Sequence, residues 1–336
     1  MSGVRQIEIG ADEAEQRLDR WLRRQLPELG QGRIEKLCRT GQVRVDGARA
    51  KASTRVGPGQ VIRVPPVSDA AEAPPVREER VPELPPGLVI HQDHHVLALN
   101  KPHGLAVQGG SGLTDHLGQY MTALRLGSDS DPRLVHRLDR DTSGVLVLGR
   151  TGKATTDLAA QFRDRRVAKT YIAVVAGKPE YREGTIRFGL VKAGGQGEER
   201  MQVVDPDDVP RTRGAQTAIS EYVVLEQLGQ RLAVVALRPV TGRTHQLRAH
   251  MAAIGCPIAG DGKYAGRSSE NLGDGWGAGL GGGISRKLHL HALALRFRHP
   301  SGGREVTVRA PFPEHMAATW EAMSLSPVTG DVDPFD

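Results

Sequence analysis

Seven prolines lie between residues 65 and 87, in the segment PPVSDAAEAPPVREERVPELPPG. Proline fixes the backbone angle φ and lacks an N–H group, so a segment this rich in proline cannot form a helix or a central strand. Such a composition is typical of an extended linker between domains. The 336-residue chain is therefore predicted to contain a small domain at 1–65, a linker at 66–87, a larger domain at 88–325 and a disordered tail at 326–336.

The small domain is predicted to be an α-α-β unit. Residues 14–26 place Leu18, Leu22 and Leu26 on one face and arginines on the other, as in an amphipathic helix. A second helix is predicted to end near Gly41, where a glycine can reverse the chain. The strand QVRV follows, and the Asp-Gly pair after it is typical of a tight turn between strands.

Positive charge is concentrated in the same domain. The whole chain has a net charge of +6, and residues 1–65 contain 13 Lys and Arg against 8 Asp and Glu. This excess favours binding to a polyanion such as a phosphate backbone. On charge alone, a solvated basic surface without a partner is an equally good interpretation.

Cysteine content and hydropathy indicate a compartment. The two cysteines, Cys38 and Cys256, lie far apart and outside any CxxC pair, which predicts reduced thiols. No apolar run approaches the about 18 residues of a membrane-spanning helix. The first twenty residues are too polar for a signal peptide. We therefore expect a cytoplasmic protein with no membrane partner.

Strands dominate the predicted elements of the larger domain. Apolar β runs include VLALN, GVLVLG and KTYIAVVAG, while helical patterns cover 153–166 and 243–255. Strands with helices between only some of them predict an α+β fold with a mixed, mainly antiparallel sheet. A glycine-rich insertion at 268–284 is predicted to be a loop.

Several familiar site patterns fail on spacing. The segment GDGK has Pro257 where a phosphate-binding loop needs its first glycine. His245 with His250, and His289 with His291, match no zinc-binding motif, although the last two share one face of a strand. No serine lies in a GxSxG turn, and neither cysteine has an adjacent base. The sequence therefore predicts no metal, no bound nucleotide and no acyl-transfer site.

One carboxylate, Asp139, stands between Arg137 and Arg140 in the segment LVHRLDRDTSGVLVLGR. It has three open roles, namely a structural ion pair, a metal ligand, or a carboxylate kept ionised for chemistry. Strand alternation predicts Arg137 on the same side as Asp139 and Arg140 on the opposite side. Asp141 is interpreted as a turn residue ahead of the strand GVLVLG.

The clusters NKPHGLAVQGG, HRLDRDTSG, KTYIA and RPVTGRTHQLRAHM, in this order, resemble the motifs of the RluA-type pseudouridine synthases. The resemblance covers about residues 88–313. The first 65 residues resemble an S4 RNA-binding module, and the combination is most similar to the RluC-like branch, which modifies large-subunit ribosomal RNA. The chain departs from the family pattern in its long insertion at 268–284 and in Cys256, where histidine is more usual.

The resemblance implies a role for each matching residue. Asp139 is the essential carboxylate, Tyr171 stacks on the target base, and Arg248 pairs with the aspartate. Leu247 lines the uracil pocket, and Arg137 helps to hold the site from which the uridine is extruded. Further RNA contacts are expected from other motif residues and from cations of the S4-like module: Lys101, His136, Thr142, His245, Gln246, Arg17, Arg33, Lys36, Arg39 and Arg44.

The implied activity is an isomerase that converts specific uridines of 23S ribosomal RNA to pseudouridine, as a monomer and without a cofactor. An RNA-binding ribosome assembly factor with secondary catalytic activity is the alternative, and the basic S4-like module suggests it. The twelve histidines suggest a third hypothesis, a metal-dependent nuclease. The patterns leave two chemical routes open, attack of Asp139 on C1′ or removal of the 2′ proton.

Overall fold

A computed structural model describes residues 4–10, 13, 15–26, 29–66, 82–109, 115–193, 200–264, 284–328 and 333–335. The chain divides into two compact units, Met1–Arg80 (unit 1) and Val81–Asp336 (unit 2). Each unit has an apolar core of its own. Most of the predicted linker and nearly all of the predicted glycine-rich insertion lie outside the described residues.

Unit 1 combines two helices with short antiparallel strands. The helices are α1, Leu18–Gln25, and α2, Gln31–Arg39. The strands are β1, Arg5–Glu8; β2, Gln16–Arg17; β3, Arg44–Val45; β4, Ala48–Arg49; β5, Arg55–Val56; and β6, Val61–Val64. Four strands form a sheet in the order β1-β6-β3-β4, and β2 pairs with β5.

Local sequence explains how the elements of unit 1 end. Gly41 follows α2 with a φ of +72°, which reverses the chain after the helix. Asp46 and Gly47 both have positive φ, as the Asp-Gly turn between β3 and β4 requires. Trp21 of α1 and Ile34 of α2 are fully buried in the core between the helices and the sheet.

Two features of unit 1 differ from the prediction. Helix α1 begins at Leu18 rather than at residue 14, because Gln16 and Arg17 pair with β5. The sequence does not predict β1, which pairs with β6 and forms the edge of the sheet. Most of its four residues are exposed, so it lacks the apolar alternation by which a strand is recognised.

Unit 2 is built on a sheet of eleven strands with three helices described beside it. The strands are β7, Val89–Gln92; β8, Val96–Lys101; β9, Arg133–Leu134; β10, Ser143–Gly149; β11, Ala168–Ala176; β12, Glu183–Ala193; β13, Arg200–Val204; β14, Gln216–Leu228; β15, Leu232–Pro239; β16, Leu290–Arg298; and β17, Glu305–Arg309. The helices are α3, Gly152–Arg163; α4, Gln246–Ala253; and α5, Glu314–Ala322.

The strand order confirms the predicted fold class. The main path is β13-β12-β14-β15-β11-β16-β10-β8-β7, with β17 beside β16 and β9 beside β10. Among the described strands, all neighbours are antiparallel except β10 and β16, which pair through Ser143 opposite His291. The domain is therefore α+β with a mixed, mainly antiparallel sheet. None of the described helices is long and apolar enough to cross a membrane.

Strand β11 lies between β15 and β16, near the middle of the sheet. Because side chains alternate along a strand, its residues face two cores. Tyr171 packs in one core with Leu247 of α4, and Ile172 packs in the other with Trp320 of α5. Helices α4 and α5 therefore cover opposite faces of this strand, and the face under α4 carries the site described below.

Long-range contacts account for the differences in unit 2. The sequence does not predict β12, β13 or α5. Two parts of the predicted tail, residues 326–328 and 333–335, lie among the described residues and contact unit 2. The Asp333 carboxylate lies 2.9 Å from Arg238 and 3.4 Å from Arg296, and the Phe335 ring lies 4.3 Å from the Arg238 guanidinium. These partners are distant in sequence, so a local pattern cannot reveal them.

Candidate active site

Three segments that are distant in sequence meet at one cavity of about 590 Å³ in unit 2. They are the loop between β9 and β10, the first residues of β11, and the loop from β15 into α4. They meet because β15, β11, β16 and β10 are consecutive neighbours in the sheet. The cavity is lined by many of the residues expected from the motifs: His136, Arg137, Asp139, Thr142, Tyr171, His245, Gln246, Leu247 and Arg248.

Asp139 lies in the loop before β10, not on a strand. The Thr142 N–H donates to the Asp139 carbonyl over 3.2 Å and closes a turn through Arg140 and Asp141. The strand alternation predicted for Arg137 and Arg140 is therefore wrong, because no strand exists there. The Asp139 side chain is 25% exposed, so its carboxylate is accessible from the cavity.

Lys101 fastens this loop to the NKPHG segment. Its ammonium group is fully buried and donates to the carbonyls of Pro102, Leu105 and Arg140 over 2.8–2.9 Å. Arg140 in turn donates through Nε to the Gly104 carbonyl over 3.0 Å. Burial lowers the pKa of Lys101 to about 7. All three protons of Lys101 are used inside the protein, and its expected RNA contact stays a prediction.

Ser143 and Gly144 attach the other end of the loop to β16. The His291 ring is buried, and burial lowers its pKa to about 4, so the ring is neutral. Its Nε2–H donates to the Ala310 carbonyl, and Nδ1 accepts from the Ser143 hydroxyl over 2.9 Å. Gly144 has a φ of +111° and lies so close to Ala292 that a Cβ atom would overlap the Ala292 carbonyl.

His136 supports the loop from inside the cavity wall. Its Nε2 accepts from the Val147 N–H over 2.8 Å, and the ring stacks on Phe162 with the centroids 4.2 Å apart. Burial, with a smaller effect of the positive charge of Lys169, lowers the pKa of His136 to about 3. The neutral ring thus has a structural hydrogen bond at Nε2, so that atom is not available for the expected RNA contact.

Tyr171 and Leu247 form an apolar side of the cavity. They are 9% and 6% exposed and belong to the same core cluster. Burial, and then the negative charge of Asp139, raises the pKa of the Tyr171 hydroxyl above its usual range. The phenol is therefore protonated at neutral pH. Its ring offers a surface on which a planar group can stack.

Arg248 is buried and bound to a residue that the sequence interpretation missed. Its Nε and Nη2 atoms donate to the two carboxylate oxygens of Asp261, each over 2.7 Å. Burial alone would lower the pKa of Arg248, but the hydrogen bonds and charge of Asp261 raise it, and Asp139 adds a smaller contribution. Asp261 lies in the GDGK segment, whose spacing excludes a phosphate-binding loop but does not reveal an arginine partner.

His245 begins α4 with φ +51° and ψ +22°, a left-handed conformation that is uncommon for a residue other than glycine. Its Nδ1 lies 2.9 Å from the Tyr264 hydroxyl, whose oxygen accepts from the Met201 N–H, also over 2.9 Å. Among the described residues, Nδ1 is the acceptor within reach of the hydroxyl proton, so we assign the proton to this bond, and Nε2 carries the ring proton. That Nε2 lies 4.0 Å from the Asp139 carboxylate.

The charge state of His245 follows from its surroundings. Burial is the largest effect, and the positive charges of Arg248 and Lys263 add to it, so that the pKa of His245 is lowered to about 4. The ring is neutral at physiological pH and presents an N–H donor beside Asp139. Sequence reasoning placed His245 at the site but did not find Tyr264, which orients it.

Gln246 and Thr142 differ in how their polar atoms are used. Gln246 accepts from Thr241 and Arg243 and donates to the Ile219 carbonyl and to a serine hydroxyl, so its amide is fully engaged in holding the loop before α4. Its expected RNA contact stays a prediction. The Thr142 hydroxyl is buried beside the cavity and has no hydrogen-bond partner among the described residues.

The other histidines of unit 2 have structural surroundings. His289 contacts the Lys287 carbonyl through Nδ1 and the Thr319 hydroxyl through Nε2. His250 is fully buried and packs edge-on against Phe188. Within the described ranges, no three His, Cys, Asp or Glu side chains are arranged to hold a metal ion. Cys38 and Cys256 are free, buried thiols in different units.

The expected RNA-binding cations of unit 1 fall into two groups. Arg33, Lys36 and Arg39 are exposed and recur every three residues along α2, so they share one side of that helix. Arg44 is also exposed but donates to two backbone carbonyls. Arg17 binds the Asp19 carboxylate over 2.6 Å. The exposed side of α2 is therefore the part of this set that is least engaged within the protein.

Comparison with known proteins agrees with both units. A family model described as RNA pseudouridylate synthase matches residues 95–253, and one described as S4 domain matches residues 16–62. Ribosomal large subunit pseudouridine synthase C of Vibrio vulnificus is 36% identical over 327 residues, which is 96% of this chain and 98% of that protein. Its counterpart in Escherichia coli is 36% identical over 314 residues, covering 93% and 94% of the two chains.

Solved structures with the same fold come from human proteins. The structure titled human RNA pseudouridylate synthase domain containing 4 aligns with a TM-score of 0.56 and 28% identity, over 71% of this chain and 94% of that chain. The one titled human RNA pseudouridylate synthase domain containing 1 aligns with a TM-score of 0.51 and 26% identity, over 69% and 87%.

Proposed function

Because the chain belongs to the RNA pseudouridine synthase family, we propose that it isomerises specific uridines of 23S ribosomal RNA to pseudouridine. The relatives named above as ribosomal large subunit synthases match it over nearly their whole length, including the S4 domain, which supports this substrate. We place its action in the cytoplasm, as a monomer without bound metal or cofactor.

The observation that carries the proposal is the pairing of a carboxylate and an aromatic ring in one cavity. Asp139 and Tyr171 both line it, although they come from different motifs, and the charge of Asp139 acts on the Tyr171 hydroxyl. Leu247 completes an apolar side against which a uracil ring fits. A base must leave its stack in the RNA to reach such a cavity, which costs stacking energy. Stacking on Tyr171 offsets about 1–3 kcal/mol of that cost.

The reaction needs a negative charge close to the sugar. The C1′–N1 bond breaks, the uracil turns, C1′ bonds to C5, and the proton on C5 is lost while N1 gains one. The reaction involves no net oxidation or hydrolysis, so side chains can supply all of it. An ionised Asp139 can serve by attack on C1′ or by removal of the 2′ proton. The positive Arg248 favours the ionised carboxylate in either route.

The remaining site residues hold this arrangement. Lys101, Ser143 and His136 fix the loop that carries Asp139. The neutral His245 directs an N–H group towards the carboxylate side of the cavity. Arg137 is exposed at the cavity and is proposed to contact the RNA from which the uridine is extruded.

The proposal is tested with Asp139→Asn, which keeps the size of the side chain but removes its charge. We expect pseudouridine formation in 23S ribosomal RNA from a deletion strain to fall by about a thousandfold or more. Mapping pseudouridines in that RNA before and after reaction with the wild-type protein identifies the target uridines. Circular dichroism shows whether the variant is folded.

Asp141→Asn is the matched control, because it makes the same chemical change in the turn next to Asp139 and is expected to keep most of the activity. Near wild-type pseudouridine formation by Asp139→Asn would contradict the proposal. The assembly-factor alternative makes a different prediction, namely that Asp139→Asn restores normal ribosome assembly in the deletion strain.

A further inference from the structure

Lys169 is a cation of the cavity to which neither the motifs nor the proposed chemistry gives a role. It precedes Tyr171 by two residues on β11, so both side chains lie on the same face of the sheet. Both line the cavity, whereas Thr170 between them does not. Two residues along a strand span about 6.6 Å, so the backbone of Lys169 lies about that far from the backbone of Tyr171.

The Lys169 ammonium is partly buried without a partner. Within the described part of the chain, no hydrogen bond or ion pair involves its Nζ atom. The buried cations nearby are all engaged, since Lys101 binds three carbonyls and Arg248 binds Asp261. Burial, and then the positive charge of Arg165, lowers the pKa of Lys169. An isolated ammonium in such a place is costly unless an anion joins it.

The charges that act on Lys169 differ from those that act on Tyr171. The charge of Asp139 acts on Tyr171, while the charge that acts on Lys169 is Arg165. A lysine stem can also pack on apolar surface with its charge in water, but Lys169 is only half exposed at most and lines an open cavity.

We propose that Lys169 binds a phosphodiester group of the extruded nucleotide, so that the cavity holds a phosphate site beside the Tyr171 base platform. This proposal rests on the proposed function, because an extruded nucleotide brings its flanking phosphates to the cavity together with its base. Among the described cavity-lining cations, Arg248 is bound to Asp261, Arg137 is exposed, and Arg243 is partly buried but donates through Nε to the Thr217 carbonyl over 3.3 Å. Lys169 thus combines partial burial, positive charge and the lack of a protein partner.

A chemical double-mutant cycle tests the proposal. The probe is a synthetic RNA with the sequence around the mapped target uridine, with either natural phosphates or one neutral methylphosphonate on the 5′ or 3′ side of that uridine. A 2′-deoxy nucleotide precedes the linkage in every RNA. Dissociation constants are measured by fluorescence anisotropy in the Asp139→Asn protein, which leaves the RNA unconverted, with and without Lys169→Gln.

With natural phosphates, Lys169→Gln is expected to weaken binding about tenfold or more, as for a lost hydrogen bond between charged groups. In the protein that keeps Lys169, a methylphosphonate at one of the two positions is expected to weaken binding by the same factor. In Lys169→Gln, the same methylphosphonate is expected to have no further effect on binding. Lys169→Arg is expected to retain binding. Lys153→Gln is the matched control, because Lys153 is an exposed lysine of α3 outside the cavity. The methylphosphonate should weaken RNA binding by this variant as much as it weakens binding by the protein with both lysines.

Two results would overturn the proposal. One is an unchanged dissociation constant in Lys169→Gln, and the other is an additive loss with methylphosphonates at both flanking positions. In the protein with Asp139 intact, Lys169→Gln is expected to raise KM and to leave kcat within a few-fold. If the protein with Asp139 intact forms no pseudouridine in 23S ribosomal RNA from the deletion strain, the proposed function itself fails, which is a separate outcome from unchanged binding by Lys169→Gln.

Discussion

The hydrogen-bond donors near Asp139 are oriented by neighbouring residues. The tautomer of His245 is the clearest case, because a backbone N–H occupies the Tyr264 oxygen and leaves its proton for Nδ1. The proton on Nε2 then faces Asp139. His245 holds this place in a left-handed conformation that costs on the order of 1–3 kcal/mol, and such strain is concentrated at functional sites.

Tyr264→Phe tests this network at the level of single residues. Without the hydroxyl, the His245 ring has no donor to Nδ1, and the Met201 N–H loses its acceptor. We expect kcat to fall about tenfold, as for the loss of a group that orients a catalytic residue. Nitrogen NMR of His245 is expected to show the Nε2–H form in the wild-type protein and a mixture of both tautomers in the variant.

The pH dependence provides a second measurement. Because burial, Arg248 and Lys263 hold the pKa of His245 at about 4, its ring stays neutral as the pH falls from 8 to 6. The wild-type kcat should therefore show no step near pH 6.5 from this group, and protonation of His245 should reduce kcat only as the pH approaches 4.

Tyr181→Phe, at an exposed tyrosine, is the control for Tyr264→Phe. An unchanged kcat and NMR spectrum in Tyr264→Phe would refute the network.

At the level of elements, the catalytic loop is held at both ends by strands. Near its start, His136 accepts from the Val147 N–H of β10. Near its end, Lys101 of β8 binds the Arg140 carbonyl, and Ser143 of β10 binds His291 of β16. The parallel pairing of β10 with β16 requires the two backbones to approach closely at Gly144 and Ala292. The glycine of the TSG motif is therefore a packing requirement of the sheet, placed next to the loop that carries Asp139.

Gly144→Ala is expected to destabilise unit 2 strongly. Its Cβ atom would overlap the Ala292 carbonyl, and its φ of +111° is strained for any side chain. We expect a loss of about 3 kcal/mol or more in the free energy of unfolding, or insoluble protein. Gly152→Ala is the control, because Gly152 begins α3 in open space. It should be neutral or slightly stabilising. Equal urea midpoints for the two variants would contradict this interpretation.

At the level of the whole molecule, we propose that unit 1 adds RNA affinity to the contacts made at the cavity, while the chemistry belongs to unit 2. Unit 2 contains the whole cavity, while unit 1 has an independent core around Trp21 and an exposed basic side of α2. Charges in unit 1 should therefore act on binding of the RNA and not on the reaction within the cavity. Phosphate contacts of this kind are sequence-independent and become weaker as salt increases.

Substituting Arg33, Lys36 and Arg39 together by glutamine tests this division in the full chain. We expect KM for 23S ribosomal RNA to rise, kcat to stay within a few-fold, and the slope of log affinity against log salt to become shallower by about two. Circular dichroism reports on folding. A lower kcat at unchanged KM and salt slope would show that unit 1 acts on the reaction instead.

Local sequence determined much of this protein. Proline density separated the two units, apolar periodicity located most helices and strands, and the ordered motifs brought attention to Asp139, Tyr171 and Arg248. These features are readable because each depends on residues that are close in the chain. Short exposed strands such as β1 were missed because they lack that periodicity.

Only the tertiary structure decided how these residues are used. It buried Lys101, engaged Gln246 within the protein, and supplied Asp261 to Arg248 and Tyr264 to His245. It also left Lys169 in the cavity without a partner among the residues that the structure describes. Hydrogen bonds depend on distance and direction between groups that are far apart in sequence, as with Ser143 and His291. No local pattern encodes such a pairing, so the motif identified the site while the sheet topology assigned the partners.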